Sequence, residues 1–312
     1  MEYILNGSKM NTCMIGTWAW GTGFGSGRLV FGNQFDRQQL ADTFNAAYNA
    51  GFTFWDTAEI YGQGSSERLL GELIAEKSVT LSTKHFPNKK YRSGECRKAL
   101  EGSLRRLGRE CVDLYWLHSP KHIREHMTDL AACVHDGLIK GVGLSNGTAG
   151  QIRFADSVLR EHGCRLTAVQ NHYSLLAMER EAEALQYCAE NGILFFGYMI
   201  LEQGALSGHY DAEHRFKKLS LRGMAFGKDK FRRVQGLIDY IRELGRLHGV
   251  DSSQIPIAWS VSKGVIPIVG LTKPHQALSL NDGLRLRLSD GETAELERLA
   301  LASGVKCKGI WE

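Results

Sequence analysis

Short apolar runs alternate with amphipathic helical stripes along almost the whole chain, and this alternation constrains the fold more than any other feature. The runs suited to buried strands are residues 12–15, 53–55, 79–82, 112–117, 141–144, 166–169, 193–196 and 265–269. Between them, apolar residues recur at helical spacing. Leu40, Phe44 and Tyr48 form one stripe, Leu69, Leu70, Leu73 and Ile74 a second, and Val234, Leu237, Ile241 and Leu244 a third. Asp36 with Gln39, Asp251 with Gln254 and Ser289 with Glu292 have the spacing of capping boxes at helix starts. Strands alternating with helices imply βαβ units and a parallel sheet, and eight repeats suit a closed (β/α)8 TIM barrel better than an open sheet. Ile4-Leu5-Asn6-Gly7-Ser8 predicts a short N-terminal hairpin with an Asn-Gly turn.

A length of 312 residues suits one such barrel, and no linker or composition shift divides it, so residues 1–312 read as a single domain. Residues 198–230 read as a long polar loop after the seventh strand that covers a cofactor. The net charge of +4 gives no case for a nucleic-acid partner. The seven cysteines are odd in number and have no C-x-x-C spacing, so they read as reduced thiols of a cytoplasmic protein. No signal peptide and no membrane span is predicted.

In a barrel of this kind, reacting groups sit at the carboxyl ends of the strands. Three successive strands here end in ionisable residues: Asp56, with Tyr61 just beyond it, then Lys84, then His118. Neighbouring parallel strands lie about 5 Å apart, so the four side chains converge on one small volume. A free tyrosine, with a pKa of about 10, exchanges protons poorly at neutral pH. An ammonium beside it lowers that pKa, and Lys84 held by Asp56 is placed to do this for Tyr61. With His118 orienting a substrate oxygen, the group suits protonation of a carbonyl as hydride reaches its carbon.

The stretch Phe54-Trp55-Asp56-Thr57-Ala58-Glu59-Ile60-Tyr61-Gly62, followed by Ser66-Glu67 and Leu70-Gly71, resembles the principal signature of the aldo-keto reductases. Lys84 in Ser-Thr-Lys and His118 in Asp-Leu-Tyr-Trp-Leu-His resemble that family's other two catalytic positions, and the likeness begins at Gly16-Thr17-Trp18. The resemblance implies a catalytic tetrad of Asp56, Tyr61, Lys84 and His118, with Tyr61 as general acid/base. It also implies reduction of an aldehyde or ketone to an alcohol, or the reverse. For the cofactor it implies contacts from Gly16, Thr17, Trp18 and Asp56, from Ser145, Asn146 and Gln170 at the carboxamide, and from Tyr198 stacked on the nicotinamide ring. Met199, Leu201, Gln203, Gly204 and Leu206 would line the pyrophosphate, although Met199-Ile200-Leu201 departs from the usual Ser-Pro-Leu wording. Gly270, Thr272, Lys273, Gln276 and Asn281 would hold the adenosine end at a helix start. Lys273 favours NADPH, with NADH the alternative. The family's asparagine falls one residue out of step, for Leu280 occupies its place and Asn281 follows.

Trp18, Phe24, Tyr61, Phe86 and His118 are the expected substrate contacts, with Trp20, Tyr91, Trp116 and Trp311 as further aromatic walls. The partner is a small-molecule carbonyl or alcohol. The run of basic residues 215–233 suits either a flap over phosphates or a solvated face. Gly21-Thr22-Gly23-Phe24-Gly25-Ser26-Gly27 fails the G-x-G-x-x-G spacing and reads as a loop beside the site. Three rivals compete with a reductase: a metal-dependent barrel hydrolase, a non-enzymatic nucleotide-binding module on the same fold, and a serine hydrolase. The last would use Ser145 in Gly143-Leu144-Ser145-Asn146-Gly147, which matches G-x-S-x-G, with Asp239 and His248 as candidate partners. The metal-dependent hydrolase would use His118, His122 and His126, which recur at four-residue spacing, but Pro120 follows His118, which reads as the end of a strand, so His122 and His126 read as surface side chains and no metal is expected.

Overall fold

The computed structural model describes residues 3–5, 8–10, 12–23, 35–217 and 220–307. An antiparallel pair, β1 (Tyr3–Leu5) and β2 (Ser8–Met10), precedes the barrel with Leu5 opposite Ser8; the Asn-Gly turn itself lies outside the described residues. The barrel strands are β3 (Met14–Gly16), β4 (Phe54–Asp56), β5 (Thr80–His85), β6 (Leu114–Leu117), β7 (Val142–Ser145), β8 (Leu166–His172), β9 (Leu194–Tyr198) and β10 (Ile266–Gly270). They close in chain order, β10 pairing with both β9 and β3, and every barrel pairing is parallel.

Six helices make the crossovers from β3 to β9: α1 (Arg37–Asn49), α2 (Ser65–Ile74), α3 (Glu95–Leu107), α4 (Ile123–His135), α5 (Ala149–Glu161) and α6 (Met178–Asn191). Between β9 and β10 come α7 (Leu221–Ala225), α8 (Lys228–Arg233), α9 (Gln235–His248) and α10 (Gln254–Ser262); α11 (Pro274–Arg285) and α12 (Asp290–Ala302) follow. The chain is therefore a (β/α)8 barrel with an N-terminal hairpin, as its alternation predicts. Asp36 and Ser289 cap α1 and α12 through the amides of Gln39 and Glu292. Asp251 does not cap: α10 starts only at Gln254, and the Asp251 carboxylate instead accepts from the Ser253 amide in the preceding turn. Thr148 and Gln151 close a further capping box on α5. Residues 198–230 are less loop-like than their polarity suggests, because Phe216 and Phe226 are buried there, each in ring contact with the buried Phe231 of α8. Among the described residues no helix is long and apolar enough to cross a membrane. All seven cysteines are unpaired, and burial pushes the Cys133 and Cys188 thiols up to about 11 and about 12.

Successive strand side chains alternate between barrel interior and helical layer. The interior holds Met14, Phe54, Leu114, Trp116, Ala168, Phe196 and Ile266, joined by Leu5 from the hairpin. Trp116 and Phe54 both meet the Phe196 ring edge-on, with centroids 5.6 and 5.8 Å away. The barrel is thus filled rather than hollow, and its polar groups are confined to the carboxyl ends of the strands. Trp116 lies opposite Gly143 in the β6–β7 register, and a Cβ at residue 143 would sit 2.1 Å from the indole ring. Only glycine fits there. We expect Gly143→Ala to lower unfolding stability by about 3 kcal/mol, read by urea denaturation, because the ring has no free volume into which to retreat. Wild-type stability in that variant would contradict the close approach.

Candidate active site

Asp56 and Lys84 project inward from β4 and β5, directly above the apolar filling. The Lys84 ammonium donates to an Asp56 carboxylate oxygen and, at 2.8 Å, to the Thr57 carbonyl. Ser82 donates to the other Asp56 oxygen at 2.5 Å. Lys84 is fully buried and Asp56 nearly so. Tyr61 arrives on the loop after β4 and places its ring centroid 5.2 Å from the Lys84 nitrogen. His118 follows β6 and meets the Tyr61 ring edge-on at 5.9 Å, while the Phe86 and Trp18 rings close the sides, 5.6 Å from His118 and 6.2 Å from Tyr61. The four ionisable residues predicted to converge do so.

Their electrostatics differ from the sequence expectation in one respect. Burial raises the Tyr61 hydroxyl well above the ordinary tyrosine range, and the nearby Asp56 charge adds to the effect. Desolvation of the phenolate outweighs the ammonium, which Asp56 largely neutralises. Burial likewise pulls Lys84 below the usual lysine range, against the upward pull of Asp56. His118 is held well below the usual histidine value, first by burial and then by the Lys84 charge. The site therefore presents a protonated phenol beside a neutral imidazole.

Ser145 and Gln170 stand opposite each other at the ends of β7 and β8. The Ser145 hydroxyl donates to the Gln170 carbonyl at 2.8 Å, whereas the buried Gln170 side-chain nitrogen has no partner within the chain. Asn146 adopts a left-handed backbone, φ +61°, that turns its amide toward His118, where it donates to the backbone carbonyl at 2.9 Å. The Tyr198 hydroxyl donates to the Asn146 side-chain oxygen at 2.6 Å, and the Tyr198 ring lies stacked on His172. His172 and Ser174 both engage the buried Glu202. Met199, Glu202 and Gln203 also have positive φ, a cluster of rare non-glycine conformations just after β9. The unpartnered Gln170 amide at the end of β8 and the strained turn just after its neighbour β9 form a candidate cradle for a bound molecule at one rim of the barrel.

The model of the aldo/keto reductase family matches residues 13–301. Aldo-keto reductase yakc [NADP(+)] of Schizosaccharomyces pombe is 31% identical over 300 residues, covering 88% of this chain and 86% of that one. The chloroplastic pyridoxal reductase of Arabidopsis thaliana is 30% identical, covering 92% and 82%. The chain belongs to the aldo/keto reductase family. Among solved structures, a glycerol dehydrogenase of Gluconobacter oxydans superposes with a TM-score of 0.83 at 25% identity, covering 99% of this chain and 98% of that one.

Within the family signature, several residues support the site without entering it. Ser66 donates to the Thr17 carbonyl at 2.9 Å, and Thr17 donates to the Asp56 carbonyl through both amide and hydroxyl. Glu67, fully buried, accepts from Thr83 at 2.6 Å and from Arg106 at 2.6 Å, tying α2 to the outer face of β5. The sequence gives no sign of these roles beyond the signature wording. At the far end of the cradle, Gln276 accepts from the Thr272 and Lys273 amides at 2.8 and 3.0 Å, which leaves the Lys273 side chain exposed at the start of α11. Asn281 turns away from that start, donating to the Ala50 carbonyl at 3.4 Å, and Leu280 is buried. Both belong to the packing of α11 on α1.

Other predicted positions also move. Trp116 and Trp20 are buried, the one inside the barrel and the other donating to the Leu271 carbonyl, so neither is a pocket wall. Tyr91 turns outward to Asp129. Phe24 and Trp311 lie outside the described residues, as does most of the glycine-rich loop. The hydrolase rival finds no triad: Ser145 is committed to Gln170, His248 pairs with Glu292, and Asp239 with Gln235 and Arg242. In the basic run 215–233, Arg222 reaches the Gln203 carbonyl at 3.2 Å, while Lys228 and Arg232 pair with Glu213 and Asp229.

Replacing Lys84 by methionine would leave the Asp56 carboxylate buried without its cation. We expect a loss of about 3–5 kcal/mol of stability on that account, measured by thermal unfolding without added nucleotide. A stability loss under 1 kcal/mol would mean that the pair is hydrated and weak.

Proposed function

We propose that the protein is an NADPH-dependent reductase that converts an aldehyde or ketone to an alcohol, or catalyses the reverse, with Tyr61 as the proton donor to the carbonyl oxygen. The observation that carries this reading is the Tyr61 phenol held against a buried Lys84–Asp56 pair at the barrel mouth. Bound reduced nicotinamide supplies the hydride that the carbonyl carbon accepts. Everything else falls to this chain's own residues. His118, neutral, donates a hydrogen bond to the substrate oxygen and turns it toward Tyr61. As negative charge develops on that oxygen, the Tyr61 proton transfers to it, and the phenolate left behind is stabilised by the Lys84 ammonium. Solvent then returns a proton to Tyr61. Gln170, Ser145 and Asn146 would hold the carboxamide, and Tyr198 the face of the ring. Gly16, Thr17 and Trp18 would wall the first strand's side of the site. Met199, Leu201, Gln203, Gly204 and Leu206 would follow the pyrophosphate, with Gly270, Thr272, Lys273 and Gln276 at the adenosine end. Trp18, Phe86 and His118 would contact substrate. The NADP(+) in the printed name of the Schizosaccharomyces pombe relative supports NADPH.

Tyr61→Phe removes the transferable proton and nothing else of size. Turnover of an aldehyde panel should fall by about a hundred- to ten-thousandfold, with NADPH affinity, followed by fluorescence titration, essentially kept. Retained turnover would contradict the assignment of Tyr61. Because burial raises Tyr61 and lowers His118, kcat/KM for reduction should show no limb near pH 6.5, and its alkaline decline should follow loss of the Lys84 ammonium, which burial lowers, rather than ionisation of the phenol.

Lys273 tests the choice of dinucleotide. A charge-assisted bond to a 2′-phosphate is worth about 1.5–3 kcal/mol, so Lys273→Met should raise KM for NADPH by roughly 10- to 100-fold and leave KM for NADH in place. Equal effects on both would show that the lysine merely faces solvent.

A further inference from the structure

Lys84 faces the reaction site, but its neighbour His85 faces the other way, out of the barrel and into the helical layer. There it meets His126 from the first turns of α4, with the two ring centroids 5.5 Å apart, and Glu95, the first residue of α3. The His126 side chain is fully buried, contrary to the surface position predicted from sequence, and neither of its nitrogens has a hydrogen-bond partner. The same is true of His85 Nε2 and of Glu95 Oε1. One such atom from each of the three residues lies here with no hydrogen bond, the 3.3 Å approach of His126 Nε2 to Glu95 Oε1 being its nearest substitute, and this is costly unless something joins them.

We propose that His85, Glu95 and His126 form a binding site for a divalent transition-metal ion of the zinc class. One candidate ligand atom from each residue lies within 4.8 Å of the other two. His126 Nε2 and Glu95 Oε1 are already 3.3 Å apart. Tetrahedral bonds of about 2.1 Å hold ligand atoms about 3.4 Å apart, so that edge is preformed and only His85 need swing inward. The orienting contact of a metal-bound imidazole is present too: Glu59 Oε1 lies 2.7 Å from His85 Nδ1 and also accepts from the Phe86 amide. That bond fixes the proton on Nδ1 and leaves the Nε2 lone pair to face the cluster. Two imidazoles and one carboxylate favour zinc, cobalt or nickel over magnesium or calcium, and three protein ligands leave a fourth position for water.

The placement defines what the ion does. His85 and Glu95 are the residues immediately before and after the segment 86–94, and His126 belongs to a different helix. A bound ion would therefore clamp both ends of that segment to each other and to α4. Phe86, whose ring lies against His118, is the first residue of the clamped segment. The ion is a brace beside the substrate pocket, on the opposite face of β5 from Lys84, and takes no part in proton transfer.

Chelator-treated protein, titrated with zinc chloride by calorimetry and with cobalt chloride by visible absorption, provides the test. We expect one equivalent bound per chain, tetrahedral cobalt bands, a raised Tm, and slowed amide exchange confined to segment 86–94 and its anchors. Glu95→Gln and His126→Gln should each weaken binding at least tenfold and abolish the exchange protection. Glu95 is half-buried at a helix start, so its variant remains informative if His126→Gln folds poorly. Failure to bind one equivalent would overturn the site. So would unchanged zinc affinity in Glu95→Gln, which would assign the metal to other histidines or thiols. Stabilisation by magnesium or calcium equal to that by zinc would overturn the ion class.

Discussion

A lysine ammonium buried in the mouth of the barrel is the interaction on which the rest of this structure depends. Removing Lys84 from water is tolerable only because Asp56 and the Thr57 carbonyl replace its hydration. Asp56 in turn relies on Ser82 and on a backbone that Thr17 and Ser66 hold in place. The partners come from three successive strands and the residues just beyond them, so the pair forms only when β3, β4 and β5 are in register. Beneath it Phe54, Trp116 and Phe196 exclude water from the barrel interior. The chemistry of the mouth and the packing of the floor are therefore one cooperative unit rather than a site placed on an independent scaffold.

Much of this was legible in the sequence. All eight barrel strands overlap the apolar runs, because a strand covered on both sides has little choice but to be hydrophobic. The strand ends were harder to read. β5 continues through Thr83, Lys84 and His85, and β8 through Gln170, Asn171 and His172, where polar side chains break the apolar signal while the backbone ladder continues. Convergence of Asp56, Lys84 and His118, with Tyr61 just beyond the first, followed from their places at or beside strand ends. What pattern could not reveal was the dielectric: the direction in which Tyr61 shifts depends on how completely it is buried. Aromatic residues misled for a related reason. Trp116 and Trp20 have the composition of pocket walls but are consumed by packing, and the close approach of the Trp116 ring to Gly143 shows how tightly the floor closes.

The contacts that steady the site were the least visible. Glu67 with Thr83 and Arg106, or Glu202 with His172 and Ser174, join residues far apart in sequence by hydrogen bonds with no periodic signature. They nonetheless set where the reacting side chains stand. The same holds for Asn146, which links the Tyr198 ring to the backbone of His118. A change at Tyr198 would thus reach the imidazole through the polypeptide itself, and effects at these two positions should not add independently.

The strict in-and-out alternation of β5 has one more consequence. Ser82 and Lys84 belong to the inner volume, Thr83 and His85 to the shell, and the spacing between the two sets is a single peptide unit. Inserting or deleting one amino acid ahead of Ser82 would therefore not merely shorten or lengthen an edge. It would trade the two populations, aiming imidazole at the reaction centre and ammonium at the helices, so the length of this strand is as tightly specified as its composition.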